Sequence, residues 1–126
     1  MKLRVIKSAG VTRGETVLSI AHRGQIFIGS NTIRMYNLHD VESVNIIQDE
    51  DSEKDFFIQF KRDRTGEVRV HSYTGRIAGS SSSAYILMKK SFHLCDDRTL
   101  TFRVGKPMEV SGIEVHPLLI NLSELL

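Results

Sequence analysis

Apolar and polar residues alternate along most of this chain, so short strands dominate the expected structure. Thr16-Val17-Leu18-Ser19-Ile20 alternates, His22-Arg23-Gly24 reads as a turn, and Gln25 to Ile28 returns, the pattern of a hairpin. Ser43 to Gln48 puts Val44, Ile46 and Gln48 on one face. Phe56 to Arg62 and Glu67 to Ser72 flank the turn Asp63-Arg64-Thr65-Gly66 and are expected to form a second hairpin. Phe56, Ile58, Phe60, Val68 and Val70 would then face inward, and Gln59, Lys61, Arg69 and His71 outward. Leu100 to Val104, Met108 to Val110, Ile113 to Val115 and Leu118 to Leu122 are further strands. Gly105-Lys106-Pro107 breaks this region, and Ser111-Gly112 turns it. Lys2 to Lys7 fits an edge strand or a basic arm.

Two stretches change to helical spacing. Asn31 to Tyr36 carries Ile33 and Tyr36 on one side, with Ser30 or Asn31 as cap and Asn37 as a left-handed terminator. Ser82 to Phe92 carries Ala84, Leu87, Met88 and Ser91 in one stripe with Lys89 and Lys90 turned away, and Ser80 to Ser83 offer caps. Asp49-Glu50-Asp51-Ser52-Glu53-Lys54-Asp55 is too charged to pack and is expected as a loop.

The same sentence is written twice along the chain. Gly24-Gln25-Ile26-Phe27-Ile28-Gly29-Ser30 precedes the first helix, and Gly75-Arg76-Ile77-Ala78-Gly79-Ser80 precedes the second. Leu38 is followed six and eight residues later by Val44 and Ile46, and Leu94 at the same steps by Leu100 and Phe102. An internal repeat of this kind predicts one domain over 1–126 built from pseudo-repeats at about 15–62 and 66–122.

Composition narrows the class. At 126 residues the chain is long enough to bury a core without staples. No apolar run approaches a membrane span and Met1 to Gly10 lacks a signal-peptide core, so a soluble, cytoplasmic protein with no membrane association is expected. The lone Cys95 excludes an intrachain disulfide, agrees with a reducing compartment, and beside Asp96 and Asp97 reads as an inert thiol.

The net charge of +2 conceals segregation: residues 1–39 carry +5, 40–55 carry −6, 56–90 carry +5 and the remainder −2. Each basic block holds one glycine-led repeat. Such blocks can build a local field, or they can be ordinary solvated surface.

The run Gly24-Gln25-Ile26-Phe27-Ile28-Gly29, then Arg34, Tyr36-Asn37-Leu38, Glu42 and Val44-Asn45-Ile46, resembles the swapped-hairpin DNA-binding domain of AbrB-type transition-state regulators and related antitoxins. The resemblance covers about twenty-five residues of each half, with a five-residue helix extension in the second. Gln25, Gly29 and Asn37 depart from the family's basic residue, proline and glycine, while Arg76 restores the basic residue in the second copy. Two copies in one chain look like the double-psi or cradle-loop barrels. The implied fold is mostly β with two short helices, a closed swapped-hairpin barrel with a pseudo-twofold axis.

The functional expectation is a non-enzymatic nucleic-acid-binding regulator or accessory protein, DNA being the partner the resemblance implies. Arg34 and Arg76 match the family's arginines, and Arg23 sits in the turn of the first hairpin. Lys61, Arg62, Arg64 and Arg69 follow from pattern alone, since guanidinium and ammonium groups grip phosphate by charge and counterion release. The alternative is a protein-interaction or structural module using the acidic segment and the basic hairpin, and a homodimer fits either reading. No metal or other cofactor is expected. His22, His39, His71, His93 and His116 are scattered singly and read as surface or half-buried residues, and the acidic segment lacks the glycine and terminal glutamate of a calcium loop. Gly79 to Ser83 has no Walker lysine and reads as capping, with anion binding the lesser reading. Gly29-Ser30 and Gly79-Ser80 also resemble the self-cleaving peptide of pyruvoyl-dependent decarboxylases, a minor alternative.

Overall fold

Alternating residues become paired strands in the computed structural model, which describes residues 16–120. Lys2 to Lys7, and Asn121 and Leu122 of the last expected strand, lie outside the described residues. In chain order the elements are β1 (Val17–Ile20), β2 (Gln25–Ile28), α1 (Ser30–Tyr36), β3 (Ser43–Asp49), β4 (Ser52–Lys61) and β5 (Val68–Tyr73). There follow β6 (Arg76–Ser80), α2 (Ser82–Ser91), β7 (Leu100–Val104), β8 (Met108–Val110) and β9 (Ile113–Leu119).

The strands run β4-β3-β5-β6-β2-β1-β7-β9, and pairing of β4 with β9 closes them into an eight-stranded antiparallel barrel. β8 pairs only with β9, as a hairpin arm outside the ring. Eight strands enclose a space that side chains can fill. Here Leu18, Ile20, Ile26, Ile28, Val44, Ile58, Leu100 and Phe102 fill it, all but fully buried. Among the described residues, no helix is long and apolar enough to cross a membrane.

Each helix closes one end of the barrel. α1 sits where β1 begins: the buried Thr32 hydroxyl accepts from Val17 N–H at 2.7 Å and donates to Val17 C=O at 3.2 Å. α2 begins at the β1–β2 turn, where Ser81 N–H donates to Gly24 C=O at 2.8 Å. Asn37 ends α1 in the left-handed region (φ 54°), and the Ser81 hydroxyl caps α2 by accepting from Ala84 N–H at 3.2 Å. Gly29 holds the cap position of α1 with no side-chain bond, so neither Ser30 nor Asn31 caps it. The buried stripe of α2 contains Tyr85 in place of the expected Leu87, which is 41% exposed. Tyr85 offers both a ring for the core and a hydroxyl that bonds the Arg98 backbone N–H and C=O at 3.0 and 2.7 Å.

Three other expectations are corrected. β4 and β5 do not pair as a hairpin, because β3 lies between them and pairs with both. The connection 62–67 therefore crosses the start of β3. Buried Ser43 fastens it, donating to Asp63 C=O at 2.6 Å and accepting from Gly66 N–H at 2.9 Å, while Asn45 accepts from Glu67 N–H at 2.8 Å. The acidic segment is not a loop but the tip of the β3–β4 hairpin, with Asp49 opposite Ser52 after a bulge at Gln48/Asp49. Charge forbids burial there but not pairing, since the hairpin bonds its own backbone and leaves its carboxylates in water. β9 runs unbroken through Pro117, with Pro117 opposite Phe57, so the two strands expected here are one.

Exchanging β1, β2, β3 and β4 with β5, β6, β7 and β9 turns every pairing of the ring into another pairing of the ring. With Gly24 matched to Gly75, the counterpart of the Val44–Val68 pair is Val104 beside Thr16, four residues beyond the Leu100 that the sequence steps select.

The two matched glycines have different surroundings, which sets a test. Gly24 has φ +86°, and a Cβ on it would meet Ser82 N at 2.5 Å. Gly75 has φ +79° with nothing within 4 Å. Gly75→Ala is expected to cost about 1–2 kcal/mol for the left-handed backbone alone. Gly24→Ala adds an overpacking cost against backbone and is expected to reach roughly 3 kcal/mol or more. Urea unfolding of the two variants measures the gap, and equal losses would contradict the tight approach of α2 to this turn.

Candidate nucleic-acid interface

On β5, β6, β2, β1 and β7 the inner residues, exposed Ser72 at the end of β5 excepted, face the core and the outer ones form a continuous wall. The outward positions are Arg69, His71 and Tyr73 on β5, Arg76, Ala78 and Ser80 on β6, and Gln25 and Phe27 on β2. They continue with Val17 and Ser19 on β1 and with Thr101 and Arg103 on β7. None of these positions carries a carboxylate.

At one end of this wall lies an aromatic and cationic cluster. Tyr73 stands opposite Arg76 in the β5–β6 ladder, and Phe27 stands opposite Ala78 in the next. The Phe27 ring lies 6.3 Å from that of Tyr73, and the Arg76 guanidinium sits over it at 5.3 Å. Tyr73 remains 51% exposed. Around the rim, Arg34 on α1 and Arg76 line one groove of about 350 Å³ together with His39, Ser30 and Ser72. Arg34 is steadied by Asn31, whose Oδ1 accepts from it at 3.3 Å.

The expected cations thus separate into groups. Arg34, Arg69 and Arg76 belong to this wall and its rim, and exposed Arg23 stands at the wall's other end, in the β1–β2 turn. Arg62 and Arg64 lie on the β4–β5 crossing. Arg62 pairs with Asp40 at 3.3 Å and donates to the Asn37 carbonyl at 2.9 Å, tying the crossing to the end of α1, and Arg64 pairs with Glu42 at 3.5 Å. Lys61 projects outward at the end of β4, level with Ser43. Tyr73, Phe27, His39 and Arg103 complete the wall and were not among the expected site residues. The signal for Tyr73 was its place two residues after His71 in the alternation Arg69, His71, Tyr73.

The acidic residues sit elsewhere. β4 is four strands from β2 in either direction round the ring, so the β3–β4 tip with Asp49, Glu50, Asp51, Glu53 and Asp55 belongs to the opposite wall. Walls about 10 Å apart with side chains pointing away from each other are separated by more than a Debye length of roughly 8 Å at physiological salt.

Perturbed titrations also lie off the cationic wall. The Thr65 hydroxyl, aided by the Thr65 N–H, holds Asp63 below the usual carboxyl range in the crossing. A hydrogen bond of 2.6 Å between Lys89 and Asp97 raises the amine and lowers the acid. The contribution of Asp97 to folding is therefore complete above the ordinary carboxyl range and lost as pH falls through its lowered pKa. His116, expected at the surface or half-buried, is buried. Its Nδ1 donates to Gly105 C=O at 2.8 Å, and its ring meets the edges of Tyr36 and Phe60 beneath α1.

No protein-family model, curated protein or solved structure matches the chain.

The two kinds of arginine respond differently to removal. Arg62→Ala breaks an ion pair and a charged hydrogen bond and is expected to cost about 1 kcal/mol of stability, while Arg69→Ala on the open wall stays within about 0.5 kcal/mol. Denaturant midpoints of both variants provide the comparison.

Proposed function

We propose that this chain is a non-enzymatic nucleic-acid-binding protein, a regulator or accessory factor, that holds its ligand across the β5–β6–β2–β1–β7 wall. The observation that carries the reading is the absence of any carboxylate among the outward positions of five adjacent strands, while Arg34, Arg69, Arg76 and Arg103 gather on that wall and its rim. Such a surface attracts a polyanion from solution and releases counterions on contact. Ser19, Ser80, Gln25 and Thr101 between the cations add neutral hydrogen-bonding groups suited to phosphate and sugar oxygens.

The exchange of pairings between the two halves supports descent from a duplicated hairpin-and-helix unit akin to the AbrB-type domain. In that reading Arg34 and Arg76, the two positions carried over from the family pattern, act together from one groove. The lone cysteine fits a reducing, cytoplasmic setting. The acidic β3–β4 tip supports a second surface, for a basic protein partner, on the wall that nucleic acid would avoid.

Affinity for an oligonucleotide is expected to fall roughly twenty- to fortyfold between about 50 and 200 mM salt if three phosphates are neutralised. Each of Arg34→Ala, Arg69→Ala and Arg76→Ala should weaken binding and lower the salt slope by about 0.7–0.9. Anisotropy titrations at several salt concentrations supply the slope. Binding indifferent to salt and to all three changes would reject this function and leave the acidic tip as the interaction surface.

A further inference from the structure

We infer that the ligand of this wall is a single strand, and that its bases stack on Tyr73 and Phe27. The inference rests on the nucleic-acid reading above and specifies the form of the ligand. Phosphate recognition needs cations and hydrogen-bond donors, yet the cluster at the end of the wall is built around two aromatic rings. Tyr73 keeps half its surface in water, between exposed Ser72 and Thr74, and Phe27 beside it is half-buried. A base in a duplex has both faces covered by its neighbours, so only an unpaired base can offer a π-face to these rings.

Geometry agrees with the chemistry. Tyr73 is the last residue of β5, and the tight turn Thr74-Gly75, with φ of 45° and 79°, leads straight into Arg76 opposite it. The ring is therefore held by a two-residue hairpin and by contact with Phe27, rather than carried on a long loop. Arg69 lies four residues back on the same outward face, about 14 Å along the strand, with His71 between them. Cations thus flank the rings along β5, and Arg34 continues the line across the rim. The outer wall of a closed barrel is convex. A flexible strand can follow such a surface, whereas a stiff duplex meets it over a short arc, since bending it costs elastic energy.

The chain has its own reporter. It contains no tryptophan and three tyrosines. Tyr85 is 3% exposed with its hydroxyl bonded to Arg98, and Tyr36 is half-buried with its hydroxyl on the Val104 carbonyl at 3.3 Å. Quenching of tyrosine emission by added nucleic acid accordingly reports on Tyr73.

The test titrates the full chain with four probes of about twelve nucleotides, within the span of known single-strand sites. They are an oligothymidylate DNA strand, the matching RNA strand, a duplex, and an abasic strand with the same phosphates. At least one base-bearing single strand should bind about tenfold or more tightly than both duplex and abasic strand, and should quench tyrosine emission. A preference between DNA and RNA would tell which sugar the wall favours, and equal binding would mean that it reads neither. Tyr73→Ala should weaken single-strand binding by roughly 5- to 100-fold with little change in salt slope, while Tyr73→Phe keeps most of the affinity and loses the emission signal. Circular dichroism of both variants confirms that this exposed position leaves the fold intact. Salt-steep binding that is equal for single, duplex and abasic probes and unaffected by Tyr73→Ala would overturn the stacking inference while leaving the nucleic-acid reading in place. Absence of salt-sensitive binding to every probe would overturn both.

Discussion

The ladder between β4 and β9, with Phe56 opposite Leu118, Phe57 opposite Pro117 and Ile58 opposite His116, is the constraint on which the rest of the molecule depends. It closes the ring, removes the free edges of two strands and gives the inward side chains a dry interior. Closure also determines how the chain must travel. β2 reaches β3, and β6 reaches β7, only by passing two intervening strands, so each connection crosses an end of the barrel and carries a helix there as a lid. The lids are fixed by small polar contacts, Thr32 on Val17 and Ser81 on Gly24, because both sit against strand ends whose backbone groups need partners.

A ring also converts charge order along the chain into charge geometry. The acidic stretch between the two basic blocks falls on β3 and β4, across the barrel from β2 and β1. The carboxylates of the β3–β4 tip consequently lie away from Arg76 and Arg103, while Glu42, already paired with Arg64, shares a groove with Arg69. The cations nearest the acidic side, Arg62 and Arg64, are held by Asp40 and Glu42 and fasten the crossing of the chain over β3. One side of the barrel is thus cross-braced by ion pairs while the other presents open cations beside exposed aromatic surface. The proposed function belongs to the second side.

Much of this was legible in residue order where the physics is local. The β1–β2 hairpin, the left-handed Asn37, the cap at Ser81 and the inward Gln48, which bonds Ser91 at 3.0 Å, all follow from patterns spanning a few residues. The errors share a cause. Nearness in sequence favours pairing of β4 with β5, but a strand bonds whichever neighbour the closed ring supplies, and β3 occupies that place. Helical spacing and hydrophobicity favour Leu87 for the buried stripe, whereas a hydroxyl with backbone partners at Arg98 makes Tyr85 fit a buried site. For the candidate site, Arg34, Arg69 and Arg76 were named from sequence, but their association with Tyr73 and Phe27 was not, since these residues are brought together by the β5–β6–β2 ladders.

Residue order alone carries the short alternating strands, the two helices, the glycine-led turns and the separation of charge into blocks. Each of these is set by interactions between residues a few positions apart, which linear order states directly. Tertiary packing alone sets β3 between β4 and β5, puts the acidic β3–β4 tip across the barrel from Phe27 and Arg76, and brings Arg34 and Arg76 to one groove. Those outcomes depend on which strand edges meet when the ring closes. That is settled by the joint packing of the interior, a property of the whole chain that no local stretch encodes.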